Sequence, residues 1–143
     1  MKLAIGCDHG GLEIKHAILA SLREQNIEYV DYGTYTTDSV DYPVYAKRVC
    51  AAIQNGECEL GILCCGTGIG MSIVANKQKG IRAAVLADAF SAEMTRRHNN
   101  ANVLCLGGRV IDSEQAVHLA NIFLSTPFDG GRHQKRVDMI EEP

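Results

Sequence analysis

The segment Cys65-Gly66-Thr67-Gly68-Ile69-Gly70 has the strongest chemical signal in the chain. It follows an apolar run typical of a buried strand and precedes a segment with helical spacing. Glycines in such a turn let the backbone approach a ligand closely, and the amides that open the following helix point at an anion. The turn is therefore predicted to hold a phosphate, a carboxylate or a developing oxyanion.

Cys65 itself has two interpretations. A cysteine within an apolar run is usually a small hydrophobic residue, and this is the interpretation for Cys64. Neighbouring strand residues face opposite ways, so only one of the two thiols can face a given space. Cys65 is the last residue before the glycine turn, where a helix N-terminus favours the thiolate. It is therefore a candidate catalytic thiol as well as a candidate core residue.

The same turn also has the outline of a dinucleotide-binding loop. Such sites have a strand, a glycine loop, a helix, a second strand and then an acidic residue about 20 positions after the glycines. Gly66-x-Gly68 and Asp88 stand at the corresponding places here. The full motif requires a third glycine where this sequence has Met71. A chain of 143 residues is also too short to add a separate substrate domain. A nucleotide cofactor is disfavoured.

Polar side chains also stand at the ends of other predicted elements. His9 lies beside Asp8 where the first predicted strand stops, a position that suits a ligand-binding residue. Arg109, after two glycines, either binds an anion or forms an ordinary surface ion pair. His98 closes a predicted helix, and there it is either a C-terminal cap or a catalyst.

Strand and helix patterns alternate along the chain and must position these residues. Strands are predicted over 3–7, 29–32, 60–65, 81–87 and 102–107, and helices over 12–25, 42–55, 71–77, 91–98 and 113–124. In the first helix, Lys15 is predicted to lie on the face opposite the apolar stripe. The alternation indicates a Rossmann-like α/β fold with three layers, in which helices cover both faces of a doubly wound, five-stranded parallel sheet.

The topology also predicts where a ligand would bind. In an open parallel sheet, ligands bind beyond the carboxyl ends of the strands. That rule selects residues 8–11, 65–70, 88 and 107–109, whose loops are expected to converge on one crevice.

Composition limits the classes of protein that remain. The chain has 46% hydrophobic and 22% charged residues, which fits one globular domain of ordinary size. A net charge of -3 gives no reason to expect nucleic acid, and no apolar stretch has the length of a membrane helix or a secretory signal. The six cysteines form no C-x-x-C pair, so we expect reduced thiols in a cytoplasmic protein, with neither a disulfide scaffold nor a zinc site.

The segment 127–143 differs from the rest of the single domain. It is polar, contains Gly130-Gly131, and has four basic side chains within five positions: Arg132, His133, Lys135 and Arg136. It is either a solvated tail or a C-terminal arm that reaches an anionic ligand or a neighbouring subunit.

Motifs spread over nearly the whole chain match one known family in order and spacing. They are Gly6-Cys7-Asp8-His9-Gly10-Gly11, Asp41-Tyr42-Pro43, the 65–70 turn with Ser72 and Ala75-Asn76-Lys77, Arg96-Arg97-His98-Asn99, Asn102-Val103-Leu104, Gly107-Gly108-Arg109, and Gly130-Gly131-Arg132-His133-Gln134-Lys135-Arg136. Together these segments resemble the type B ribose-5-phosphate isomerases and their galactose-6-phosphate isomerase relatives. Many dispersed motifs in agreement are more specific than any single motif.

The resemblance implies an aldose–ketose isomerisation of ribose 5-phosphate and ribulose 5-phosphate, with no metal and no cofactor. It implies that Cys65 is the base that moves a proton between C2 and C1 through an enediolate. Some members of the family replace this cysteine and use a glutamate elsewhere, but Cys65 is present here. The amides of the turn, with Thr67, would stabilise the enediolate oxygen; the residues concerned are Gly66, Gly68, Ile69 and Gly70.

The resemblance also implies roles for the remaining candidates. His98 would open the sugar ring, and Asp8 and Asn99 would bind sugar hydroxyls. The phosphate would be held by His9, Arg132 and Arg136, with Arg109 as a further candidate. The family is dimeric, with tetramers as a further possibility, and each site is completed by the partner subunit.

Two other functions stay open at this stage. The same fold could act on a six-carbon sugar phosphate, such as allose 6-phosphate or galactose 6-phosphate, after small changes near Gly10 or Arg109. A non-catalytic module for a sugar phosphate or a nucleotide would bind its ligand without turnover and would be insensitive to thiol alkylation.

Overall fold

The centre of the molecule is a five-stranded parallel sheet, seen in a computed structural model that describes all residues from Met1 to Pro143. The strands are β1 (Lys2–Cys7), β2 (Glu28–Asp31), β3 (Leu60–Cys65), β4 (Ala83–Val85) and β5 (Val103–Gly107), in the spatial order β2-β1-β3-β5-β4. Every neighbouring pair is parallel. The predicted doubly wound α/β class is confirmed.

Helices cover both faces of this sheet. They are α1 (Leu12–Glu24), α2 (Tyr42–Gln54), α3 (Ile69–Asn76), α4 (Ala89–Arg97), α5 (Ser113–Ser125) and α6 (Arg132–Glu141), and a single 3₁₀ turn spans His9–Gly11. Helices α1, α4 and α5 bury their apolar residues against one face, and α2 and α3 cover the other. No helix is long and apolar enough to cross a membrane.

The central strand β3 shows how the sheet separates the two cores. Ile62 and Cys64 point into the core beneath α1 and α5, whereas Leu63 and Cys65 point into the core beneath α2 and α3. This alternation follows from the two-residue period of a strand. The expectation that Cys64 and Cys65 face opposite ways is confirmed, and all six cysteines are buried and unpaired.

Two elements differ from the sequence prediction. The strand predicted over 81–87 has ladder pairing only at Ala83–Val85, because β4 is an edge strand with a single neighbour, β5. The segment 127–143, predicted to be a solvated tail or a C-terminal arm, contains helix α6, which the sequence did not predict. Only His133 and Val137 of α6 are buried, so its apolar stripe is too narrow to give a clear periodic signal.

Candidate active site

Three loops meet at the carboxyl edge of the sheet, as the topology predicted. The amide of Gly108 donates to the carbonyl of Cys65 at 2.8 Å, and the amide of Arg109 donates to the carbonyl of Gly66 at 2.9 Å. A Cβ added to Gly10 would lie 3.0 Å from the Gly66 nitrogen. The loops that follow β1, β3 and β5 therefore contact one another directly. Asp88, at the same edge, accepts from the Ser91 amide and caps α4.

Two glycines of the turn after β3 pack too closely against their neighbours for a side chain. Gly68 has φ +80, and a Cβ there would lie 2.9 Å from the carbonyl carbon of Leu106 in β5. A Cβ on Gly70 would lie 2.7 Å from the ring of Tyr42, which opens α2. Glycine is required at position 68 for both its conformation and its space. The turn is thus held between β5 and α2.

The thiol of Cys65 lies under this turn. Its side chain is 5% exposed, and the Gly68 amide donates to Sγ at 3.1 Å. The next amide, of Ile69, donates to Oγ1 of Thr67 at 3.2 Å, and α3 begins at Ile69. A hydrogen bond to sulfur and a helix N-terminus both favour the charged form of a thiol.

The other thiols have a different environment. Burial raises the pKa of Cys64 and of Cys105 well above the ordinary value, and both are fully enclosed by the core. Burial likewise raises the pKa of Cys7 and of Cys50 to about 11. Such thiols stay protonated at neutral pH and behave as core residues.

Asp8 and His9 lie beside the turn. The Asp8 carboxylate is 8% exposed and accepts from the Gly10 amide at 2.8 Å, which caps the 3₁₀ turn. Nδ1 of His9 accepts from the Val40 amide at 3.2 Å. In the neutral imidazole the proton is therefore on Nε2, which leaves that nitrogen as a donor for an anion.

The other predicted site residues lie at the amino edge of the sheet, where the strands begin. Helix α4 runs back from the carboxyl edge, and His98 is its C-cap. The carbonyl of Asn99 accepts from Arg82, which precedes β4, at 3.1 Å. At about 3.3 Å per residue, the six-residue strand β3 separates the two edges by on the order of 15–20 Å. A single chain does not bring His98 to Cys65.

The C-terminal segment joins His98 at this amino edge. The Asp129 amide donates to the carbonyl of Arg97 at 3.1 Å, and the Asp129 carboxylate pairs with the Arg97 guanidinium at 3.2 Å. The rings of His98 and His133 stack with centroids 4.2 Å apart and planes 10° from parallel. Arg132 and Arg136 are exposed on the same helix. The predicted site residues thus form two groups, one at each edge.

Three of these residues have ligand atoms suited to a metal. Nitrogen or oxygen atoms of His98, Asp129 and His133 lie within 4.8 Å of one another. The lone pairs of stacked imidazoles lie in two parallel planes, so an ion between the rings would be out of plane for at least one of them. The arrangement fits a ring–ring contact better than shared metal ligation.

Comparison with known proteins identifies the family. The model of a family described as Ribose/Galactose Isomerase matches residues 3–140. The chain belongs to this family. Ribose-5-phosphate isomerase B of Escherichia coli is 48% identical to it over 139 residues, which are 97% of this chain and 93% of the relative. A putative sugar phosphate isomerase of Bacillus subtilis is 51% identical over 143 residues, which are 99% of this chain and 96% of the relative.

Solved structures agree with the assignment to this isomerase family. A ribose 5-phosphate isomerase from Thermotoga maritima superposes with a TM-score of 0.97 at 50% identity, over 99% of this chain and 98% of that chain. One from Clostridium thermocellum also gives a TM-score of 0.97, at 46% identity over 99% and 95%. The resemblance inferred from dispersed motifs is confirmed.

At the isomerase site, the sequence motifs include Tyr42 but give it no role, and the position predicted for Lys15 is wrong. Tyr42 covers Gly70 at the turn. Lys15 is not on an exposed helix face: its side chain is 0% exposed, and Nζ donates to the two Asp31 carboxylate oxygens at 2.8 and 3.0 Å. The signal was present, because Lys15 shares the apolar stripe with Leu19 and Leu22 at helical spacing.

The buried ammonium of Lys15 stabilises the loop that packs beside Asp8 and His9. Nζ also donates to the carbonyl of Thr34 at 2.5 Å. Thr34 and Gly33 in turn bond the backbone of Cys7, with the Thr34 amide donating at 2.7 Å and the Gly33 carbonyl accepting at 2.6 Å. Cys7 directly precedes Asp8, so this lysine holds the loop that flanks Asp8 and His9.

Proposed function

We propose that the chain interconverts ribose 5-phosphate and ribulose 5-phosphate, with Cys65 as the general base. The observation that supports this most directly is the thiol of Cys65 at the end of β3, bonded at 3.1 Å by the Gly68 amide of the glycine turn. The sugar phosphate substrate agrees with the names of the relatives at 48% and 46% identity.

The reaction needs a base and a place for negative charge. The thiolate of Cys65 takes the proton from C2 of the open-chain aldose, and the electrons of that bond move to the C1 carbonyl oxygen. A proton then passes from the C2 hydroxyl to O1, so that the negative charge moves to O2. The Cys65 thiol returns its proton to C1 as the C2 carbonyl forms, which yields the ketose and restores the thiolate. A placed base contributes about 10²–10⁴-fold, and each donor to the oxyanion about 10²–10³-fold.

The turn and its neighbours suit these two tasks. Because the Gly68 amide donates to Cys65 Sγ and the Ile69 amide donates to Thr67 Oγ1, the remaining amides of the turn, such as those of Gly66 and Gly70, are proposed to donate to the enediolate oxygen together with the Thr67 hydroxyl. Asp8, 8% exposed beside the turn, is proposed to bind a sugar hydroxyl. His9 is proposed to donate from Nε2 to the phosphate, since Val40 already occupies Nδ1. Arg109, against Gly66, is a further phosphate candidate.

The remaining residues are proposed to come from a second copy of the chain. His98 would open the furanose ring, Asn99 would bind a hydroxyl, and Arg132 and Arg136 would bind the phosphate. All four lie at the amino edge, on the order of 15–20 Å from the carboxyl edge of the same sheet. A homodimer in which the amino edge of one subunit meets the carboxyl edge of the other is the smallest assembly that completes the site.

An exposed apolar surface supports this dimer. Ile69 and Ile73 on α3 are 53% and 56% exposed, and Phe90 at the start of α4 is 72% exposed. They lie around the edge strand β4 and the glycine turn, where a partner would cover them.

The arm 127–143 then has a defined role, since α6 presents Arg132 and Arg136. Six buried, unpaired thiols also suit a reducing compartment, and we place the protein in the cytoplasm.

Two experiments test the proposal. The first compares kcat/KM for ribose 5-phosphate, allose 6-phosphate and galactose 6-phosphate; the pentose is expected to give the highest value, and a faster hexose would overturn the substrate assignment. The second coexpresses Cys65→Ala and His98→Ala chains, each inactive alone. Shared sites predict that roughly a quarter of wild-type sites recover in the mixed population. No recovery would place both residues in one subunit.

A further inference from the structure

We propose that His133 is a positioning residue that holds the His98 imidazole in the orientation needed for ring opening. The inference rests on the proposed role of His98. It assigns to His133 a task separate from that of the two arginines on the same helix.

Backbone hydrogen bonds fix the positions from which the two rings extend. The His98 amide donates to the Met94 carbonyl at 2.8 Å, and the His133 amide donates to the Gly130 carbonyl at 3.0 Å. His133 is 8% exposed, and Val137, one turn later, is 4% exposed. Because the ring of His133 is packed in place, its face limits the rotation of the His98 ring stacked against it at 4.2 Å.

The charges around the pair favour the neutral form of His133. Helix α4 brings Glu93 and Arg97, which pair with each other at 2.9 Å. The loop before α6 brings Asp129, and α6 brings Arg132 and Arg136. Desolvation lowers the pKa of His133, and the positive charges of His98, Arg132 and Arg136 lower it further, whereas Asp129 acts in the opposite direction.

The lowered pKa of His133 favours the neutral form of its ring. A neutral ring face then lies against His98 while His98 exchanges a proton with the sugar. An aromatic face tolerates an adjacent cation, whereas a second imidazolium would repel it. His98 can thus exchange a proton with the sugar while its ring stays stacked on His133.

Ring opening is sensitive to this orientation. A proton must leave the C1 hydroxyl and one must reach the ring oxygen, and His98 must lie within hydrogen-bond reach to transfer it. Misplacement of such a group by about 1 Å can cost on the order of 10²-fold in rate. A ring free to rotate would reach the sugar only part of the time.

The test separates ring opening from proton transfer at carbon. Ribulose 5-phosphate has no furanose form, so the enzyme can exchange its C1 proton with D₂O through Cys65 alone. Conversion of ribose 5-phosphate requires ring opening as well. Four variants are compared in both assays: His133→Ala, His133→Phe, His98→Ala and Cys65→Ala. Phenylalanine keeps a flat ring of similar size and removes the titratable nitrogens.

The proposal predicts a selective defect. His133→Ala should lower kcat for ribose 5-phosphate by about 10- to 100-fold, a smaller loss than that of His98→Ala, while deuterium exchange into ribulose 5-phosphate stays within about twofold of wild type. His133→Phe should restore kcat. An unchanged His133→Ala enzyme, a failure of phenylalanine to rescue, or an equal rise of KM in both assays would overturn the proposal, the last by making His133 a phosphate ligand.

Two controls keep this result apart from the wider function. If Cys65→Ala keeps deuterium exchange, or His98→Ala keeps full turnover of ribose 5-phosphate, the proposed catalytic roles fail regardless of His133. If both hold and only the His133 variants behave otherwise, the positioning role alone fails.

Discussion

The amide of Gly68 donates to the sulfur of Cys65 at 3.1 Å, across the turn that joins β3 to α3. This bond ties the shape of the turn to the electrostatics of the thiol, because a donor aimed at sulfur stabilises the thiolate. In the proposed mechanism the other amides of the turn donate to the substrate. One short backbone segment would then both activate the proposed base and bind the charge that develops on the substrate.

Replacement of Gly68 by alanine should disrupt both functions. The residue has φ +80, and a Cβ would lie 2.9 Å from backbone of Leu106, which cannot move aside. Gly80→Ala is the matched control, because Gly80 has φ +77 with nothing within 4 Å of an added Cβ. Gly80→Ala should cost about 1–2 kcal/mol in unfolding free energy and keep activity. Gly68→Ala should cost about 1–3 kcal/mol more and lose activity; equal effects in denaturant titrations and kinetics would contradict the account.

Arg136→Ala should mainly raise KM. A lost contact to the unreacting phosphate weakens binding of substrate and transition state alike, and each tenfold in KM corresponds to about 1.4 kcal/mol. Lys135→Ala is the control on the same helix, since Lys135 is exposed and forms no ion pair. Steady-state kinetics should show a rise of about tenfold or more for Arg136→Ala and none for Lys135→Ala. Equal values for the two variants would remove Arg136 from the phosphate site.

Lys15→Met should destabilise the fold strongly. The ammonium is 0% exposed, and its removal leaves the Asp31 carboxylate, which is 21% exposed, without its cation. Loss of one partner of a buried pair costs about 3–5 kcal/mol, and the partial exposure of Asp31 favours the lower value. Lys47→Met, at an exposed position of α2, should change stability by less than about 0.5 kcal/mol. A Lys15→Met protein as stable as wild type in urea would refute the structural role of this pair.

Stability should fall in alkaline solution. Burial raises the pKa of Cys50 from 9.0 to about 11, so the unfolded chain releases this proton at lower pH than the native protein. The stabilising contribution is complete below pH 9 and is lost as the pH rises toward 11, at up to about 1.4 kcal/mol per pH unit for one thiol. Urea titrations at several pH values between 9 and 11 should show that the unfolding free energy falls less per pH unit in Cys50→Ala than in wild type. An identical pH dependence in the two proteins would show that this thiol titrates alike in the native and unfolded states.

Much of the fold follows from local patterns. The runs in β1, β3 and β5 are continuously apolar, as expected for strands covered on both faces, and they were predicted closely. The short edge strand β4 was overestimated, because ladder pairing depends on a neighbour that the local sequence does not specify. Helix α6 was missed because only two of its side chains are buried, and its ion pair Arg82–Glu141 at 2.6 Å is a tertiary contact that the local sequence does not specify.

The site was only partly predictable, because the order of the elements places some of its residues and tertiary contacts place the others. The rule for parallel sheets locates Asp8, Cys65 and Arg109 at one edge from the order of the elements alone. The position of His98 at the other edge follows only once α4 is known to run back along the sheet. The stack of His98 on His133 depends on how α6 docks and has no local signature. The place of Lys15 in the apolar stripe of α1 was visible in the sequence, but its pairing with Asp31 is a tertiary contact that no local pattern specifies.

The role of Cys65 is tested most directly by Cys65→Ala beside Cys64→Ala. The two thiols are neighbours in β3 but face opposite sides of the sheet, so only one can reach the substrate. The measurement is deuterium exchange at C1 of ribulose 5-phosphate in D₂O, with substrate affinity measured in parallel by calorimetry. Cys65→Ala should lose about 10²–10⁴-fold in exchange rate and bind the sugar phosphate as wild type does, while Cys64→Ala keeps its exchange rate. Full exchange by Cys65→Ala would contradict its assignment as the base.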